Sequence, residues 1–117
     1  METIEHLTDQ TFEAAVKRPG LTVIDFWAGW CGPCRAMTPQ FESAAAPRPQ
    51  YRFAKVDVDG QPALAAAYGV RSIPTLMVLS DGEPIAAQAG VISAEGLVAA
   101  LDRIAAATAM HDTREAA

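Results

Sequence analysis

Cysteine and histidine are scarce in this 117-residue chain, with two of each. Two thiols are too few for a scaffold built on disulfides. One pair also falls short of the four ligands of a closed zinc site. His6 and His111 stand far from both cysteines in sequence, so a Cys–His protease arrangement has no support. Basic residues are outnumbered: nine Lys and Arg against 14 Asp and Glu leave a net charge of -5. That balance favours solubility and argues against a general binder of nucleic-acid phosphates. No apolar run reaches the roughly 18 residues needed to cross a bilayer, so no membrane association is expected. The stretch Met1-Glu2-Thr3-Ile4-Glu5-His6 lacks the basic-then-apolar order of an export signal. There is no Gly-rich phosphate loop and no dinucleotide fingerprint. The expected setting is cytoplasmic, where thiols are kept reduced and a cysteine pair is more often catalytic than structural.

What is present is concentrated in Trp30-Cys31-Gly32-Pro33-Cys34, which holds both cysteines three positions apart. Two thiols at this spacing, at the start of a helix, can close a disulfide with each other and reopen it. The rest reads as one globular domain over residues 1–107, with 50% hydrophobic and 20% charged residues arguing against disorder. A short edge strand is expected over 3–7. A helix capped by Thr8 follows, with Leu7 and Phe12 as its hydrophobic staple, and Pro19-Gly20 ends it. Residues 21–27 carry apolar side chains on both parities, the pattern of a strand covered on both faces. The next helix begins at Cys31 or Gly32 with Pro33 in its first turn. Pro39 is expected to kink it, and Pro47-Arg48-Pro49 to stop it. Met37 and Phe41 share its core face.

Further strands are predicted over 52–57, 75–79 and 84–89, the last two joined by the turn Ser80-Asp81-Gly82-Glu83. A short helix runs from Gln61-Pro62 to Gly69. Ser93 caps a final helix on which Leu97, Leu101 and Ile104 recur at helical spacing. Residues 108–117 carry no apolar pattern and are expected to form a flexible tail. The order β-α-β-α-β-α-β-β-α implies parallel strands in the middle and an antiparallel hairpin at one edge. Asp57 and Asp59 resemble a carboxylate pair, but one ends a strand and the other begins a turn, so a loop role is expected rather than metal binding.

With these residues in hand, the chain resembles the thioredoxin family over about residues 3–107. The resemblance rests on Asp25-Phe26-Trp27-Ala28-Gly29-Trp30-Cys31-Gly32-Pro33-Cys34, Pro39 and Lys55-Val56-Asp57-Val58-Asp59. It continues through Tyr68-Gly69-Val70-Arg71-Ser72-Ile73-Pro74-Thr75, Asp81-Gly82 and Gly90. A bare Cys-x-x-Cys is a weak signal; this pentapeptide followed about forty residues later by Ile-Pro-Thr is a strong one. The resemblance implies an α/β thioredoxin fold, a central mixed five-stranded sheet flanked by four helices. It departs from the usual pattern at Gly29, where an acidic or other polar residue is common, and in the proline-rich stretch 44–50.

The resemblance also assigns roles. Cys31, at a helix N-terminus, is the attacking thiol, ionised more readily than a free one. Cys34, one turn on, is expected to be more buried and to resolve the mixed disulfide. Asp25 stands in mid-strand, where burial raises a carboxyl's pKa and suits it to moving protons. The family places such an acid behind the resolving thiol, with Lys55 as its electrostatic partner. A plainer reading puts both side chains at strand ends in solvent. The family also holds the Ile73-Pro74 bond cis, so that the Ile73 backbone can pair with an extended substrate segment. Trp30, Gly32, Pro33, Ile73, Pro74, Gly90 and Val91 then form an apolar docking surface around Cys31, with Trp27 as packing support. Simple packing is the plainer reading of Trp30 and Val91.

The implied function is general protein disulfide reduction by a monomer with no bound cofactor beyond the Cys31-Cys34 disulfide. Disulfide-containing client proteins are the substrates, and a flavin- and NADPH-dependent thioredoxin reductase is the electron donor. Two other readings stand beside it. An oxidase or isomerase usually carries a histidine between its cysteines, where Gly32-Pro33 lies here. A scaffold or binding subunit, with incidental redox chemistry, would keep its activity when both cysteines are replaced by serine.

Overall fold

A computed structural model describes residues 4–116, with side chains described through residue 109. Thr3 of the expected first strand and the side chain of His111 lie outside the described residues. The elements are β1 (Ile4–His6), α1 (Phe12–Val16), β2 (Leu21–Trp27), α2 (Gly32–Ala45) and β3 (Arg52–Asp57). They continue with α3 (Pro62–Ala67), β4 (Thr75–Ser80), β5 (Glu83–Ala89) and α4 (Ala94–Ala116).

The sheet order is β1-β3-β2-β4-β5. β2 lies at the centre, and its alternating side chains explain why both parities are apolar. Val23 joins Phe53, Met37, Phe41, Leu97 and Leu101 in the cluster between the sheet and helices α2 and α4. Ile24 and Phe26 join Phe12, Val16, Leu7 and Leu79 in the cluster beneath α1, with Leu64 of α3 against it. Helices thus cover both faces of a mixed sheet. Val23, Ile24 and Phe26 are fully buried.

The crossover rule holds for part of the sheet. β1, β3 and β2 are parallel neighbours. β4, however, runs antiparallel to β2. A helical connection enforces parallel direction only between strands that it places side by side on one sheet. Here β2 separates β3 from β4, and the short α3 returns the chain in the opposite sense. β5 then completes an antiparallel hairpin at the edge.

One local expectation shifts. The N-cap position of α1 is Thr11, not Thr8, and its side chain makes no capping hydrogen bond. The Thr8 carbonyl accepts from the N–H groups of Thr11 and Phe12, so a tight turn precedes the helix. Leu7 and Phe12 are still buried together. α2 is continuous through Pro39. Its neighbour Thr38 donates its hydroxyl to the Cys34 carbonyl, 3.1 Å away. α4 continues helically to Ala116, through most of the stretch set apart as a tail. Alanine-rich sequence favours helix without any apolar stripe. As expected, Ser93 caps α4, its hydroxyl accepting from Gly96 N–H at 3.0 Å.

Candidate active site

The site begins where β2 ends. After Trp27 the chain turns through Ala28, Gly29 and Trp30, and the Cys31 N–H closes the turn on the Ala28 carbonyl at 3.2 Å. Cys31 is the N-cap of α2, in an extended conformation that aims its side chain back at the helix. Its Sγ accepts the Cys34 N–H at 3.1 Å. Pro33 occupies the first turn, where no N–H is needed. Cys31 and Cys34 are joined by a disulfide with their Cα atoms 5.2 Å apart. Both cysteines are nearly enclosed, Cys31 at 4% exposure and Cys34 at 2%. Cys34 is the more buried of the two, as expected, but by a small margin. In the oxidised pair the sulfurs share one pocket wall with Ala28, Trp27, Val58 and Ile73.

An anionic sulfur at Cys31 would meet two favourable influences. One is a backbone N–H already pointed at it. The other is the partial positive charge of a helix N-terminus. Cys34 lies inside the first turn and lacks that exposed end position.

Beneath α2, Asp25 and Lys55 are register partners on adjacent parallel strands. Both share the sheet face of Val23 and Phe53, the face that α2 covers. Asp25 is fully buried. Neither of its carboxylate oxygens has a hydrogen-bond partner among the described residues. Burial pushes its carboxyl up from 3.8 to about 6, with the Lys55 charge pulling in the opposite direction. Lys55 is itself buried at 9% exposure, so the solvated strand-end reading of both residues is set aside. The Lys55 ammonium is held elsewhere. Its Nζ reaches Thr38 Oγ1 at 3.4 Å and sits 4.8 Å from the centroid of the Trp27 ring.

The surface around Cys31 is assembled from three loops. Trp30 is 68% exposed and Val91 47% exposed. Gly32 and Pro33 are exposed between them. The Ile73-Pro74 bond is cis. The Ile73 carbonyl oxygen lies 3.7 Å from Cys31 Sγ, and Pro74 is buried. Gly90 has φ +93, which a side chain would oppose. Its N–H donates to the Pro74 carbonyl at 2.9 Å, tying the Val91 loop to the Ile73 loop. The loops of Cys31, Ile73-Pro74 and Gly90 are thus tied side by side, while Asp25 and Lys55 lie on the sheet face beneath α2.

Several contacts at the site escape the sequence reading. Trp30 Nε1 donates to Asp59 Oδ2 at 2.8 Å, which fixes the exposed ring. Arg35 donates to the Gly29 carbonyl at 3.0 Å. From α2, Gln40 accepts the Ala94 N–H at 2.8 Å, and Met37 Sδ accepts the Ile92 N–H at 3.5 Å. Only Thr38 had a legible signal, since it lies one helical turn after Cys34.

The thioredoxin family model matches residues 3–103. The chain belongs to the thioredoxin family. It is 42% identical over 101 residues to a thioredoxin of Staphylococcus aureus, covering 86% of this chain and 96% of that protein. A mutant thioredoxin from Halobacterium salinarum matches in structure with a TM-score of 0.81 at 33% identity, over 87% of this chain and 90% of that one. Thiol–disulfide exchange on disulfide substrates is the chemistry of the family, and its members are reduced by thioredoxin reductase. Among the described residues, no group of three or more His, Cys, Asp or Glu could hold a metal ion. No described helix is long and apolar enough to cross a membrane.

Proposed function

We propose that this chain is a general protein disulfide reductase, working in the cytoplasm as a monomer. The observation that carries the reading is Cys31 Sγ at the N-cap of α2, accepting the Cys34 N–H with the second sulfur directly behind it. In the reduced protein, the Cys31 thiolate attacks one sulfur of a client disulfide. A mixed disulfide forms, and the client's other sulfur leaves as a thiolate and takes up a proton. Asp25, with Lys55 tuning it, accepts the Cys34 proton. The Cys34 thiolate then attacks Cys31 Sγ, forming the Cys31-Cys34 disulfide and releasing the client's second sulfur as a thiolate, which takes up the proton that Asp25 returns. Overall the client gains two electrons and two protons; the cysteine pair loses two electrons and two protons, one given to solvent when Cys31 ionises and one passed through Asp25. A flavin- and NADPH-dependent thioredoxin reductase returns the electrons. No bound cofactor takes part.

A carboxyl raised to about 6 exchanges protons readily near neutral pH. Trp30, Gly32, Pro33, Ile73, Pro74, Gly90 and Val91 form the docking surface. The Ile73 carbonyl stands beside the reacting sulfur, where the backbone of an extended client segment can pair with it. An exposed apolar patch of this kind suits varied protein clients better than a deep pocket would.

The test is insulin disulfide reduction with dithiothreitol as electron source. The wild-type protein is expected to accelerate precipitation of the insulin chains, and Cys31→Ser to leave the rate at that of dithiothreitol alone. A wild-type protein no faster than dithiothreitol overturns the reading.

A further inference from the structure

The charge that register sets against Asp25 does not bind it. Lys55 Nζ lies 3.4 Å from Thr38 Oγ1 and over the Trp27 ring, while both Asp25 oxygens lack a hydrogen-bond partner among the described residues. The Thr38 hydroxyl is fixed from the other side. It donates its one proton to the Cys34 carbonyl at 3.1 Å, which leaves its lone pairs to accept. An ammonium, with three donors and no acceptor, is the matching group. The same hydroxyl thus joins the backbone of the second cysteine to the lysine beside the acid.

We infer that Thr38 is a positioning residue: it draws the Lys55 ammonium onto its hydroxyl and so keeps the Asp25 carboxyl unpaired, free to take and return the Cys34 proton. The proton role rests on the disulfide-reductase reading; the placement of the charge does not. Few other groups compete. On the sheet face covered by α2, Asp25 shares parity with Lys55 and Asp57 of β3 and faces the two cysteines of α2; Asp57 turns to its own loop, its Oδ1 accepting the Asp59 N–H at 3.0 Å. The remaining charged residues of α2, Arg35 and Glu42, are exposed. β4 sets Leu76 opposite Asp25 and carries no ionisable side chain. Without the hydroxyl, the ammonium is free to turn to its register partner, the fully buried Asp25 carboxyl.

The experiment is a pH titration of the Asp25 side-chain carboxyl by 13C NMR in the full-length reduced protein. Thr38→Val removes the hydroxyl at nearly constant shape, and Thr38→Ala removes it with a better helix former should valine disturb the fold. Either is expected to lower the Asp25 midpoint by about 1 on the pH scale, as the freed ammonium closes on the carboxylate. Thr38→Ser keeps the wild-type midpoint. In a Lys55→Met background the midpoint rises, and adding Thr38→Val moves it no further. A midpoint that stays put or rises without the hydroxyl overturns the inference, as does a fall that persists without Lys55. Because the titration uses no client, failure of the insulin assay sinks the reductase reading and leaves this result standing. An active protein whose Asp25 ignores Thr38 sinks the inference alone.

Discussion

Replacing Asp25 with asparagine is expected to strengthen the fold while weakening the chemistry. Asp25 is fully buried, and burial lifts its carboxyl from 3.8 to about 6. Between those values the native state keeps a proton that the unfolded chain has released. Stability therefore falls as pH rises through that window, and the whole penalty is present above about 6. At about 1.4 kcal/mol for each unit of pKa, the gap is worth about 3 kcal/mol. Asparagine cannot ionise, so it escapes the penalty. Any cost of its own unpaired amide does not vary with pH. Urea unfolding followed by circular dichroism measures the difference between the two proteins, in which the other carboxylates cancel. That difference is expected to grow by about 3 kcal/mol from about pH 3.5 to about pH 7.5. With a urea dependence of about 2 kcal/mol per molar, the midpoints separate by about a further 1.5 M. Disulfide reduction by Asp25→Asn is expected to be slower across pH 6–9. A stability difference that is flat with pH would show that Asp25 is not held in a desolvated site. Unchanged turnover would remove it from the mechanism.

Two further outcomes test the packing and the surface. Phe41 is fully buried and meets the Phe53 ring edge-on at 5.4 Å, so Phe41→Ala is expected to cost about 3–5 kcal/mol in urea unfolding. Asp59 anchors the Trp30 indole at 2.8 Å. Asp59→Ala is expected to free that exposed ring, raising the KM for insulin with little change in kcat, and to alter tryptophan fluorescence; an unchanged KM would mean that the ring's placement does not matter to docking.

Much of the fold was legible because its elements carry local signatures. β2 matches its predicted range residue for residue, since a strand covered on both faces has no polar parity to blur its ends. β3 does so for the same reason. The direction of β4 was not legible. Strand polarity depends on which strand becomes its neighbour, and no local pattern in Thr75–Ser80 encodes that. The N-cap of α1 falls at Thr11 rather than Thr8 because a turn closed on the Thr8 carbonyl comes first and decides the start. At the site, the sulfur pair and the acid were readable from residue type and spacing. Their supports were not. Trp30 and Asp59 are 29 residues apart, and Gln40 and Ala94 are 54 apart; each pair meets only once the sheet is assembled.

Two bonds from α2 to the segment after Gly90 have a mechanical consequence. Gln40 and Met37 grip the backbone N–H groups of Ala94 and Ile92, and the helix they belong to starts at the sulfurs. A tilt of that helix carries its passenger loop with it. The separation between Val91 and Cys31 is therefore set from two sides, by α2 through Met37 and Gln40 and by the cis-proline loop through the Gly90–Pro74 bond.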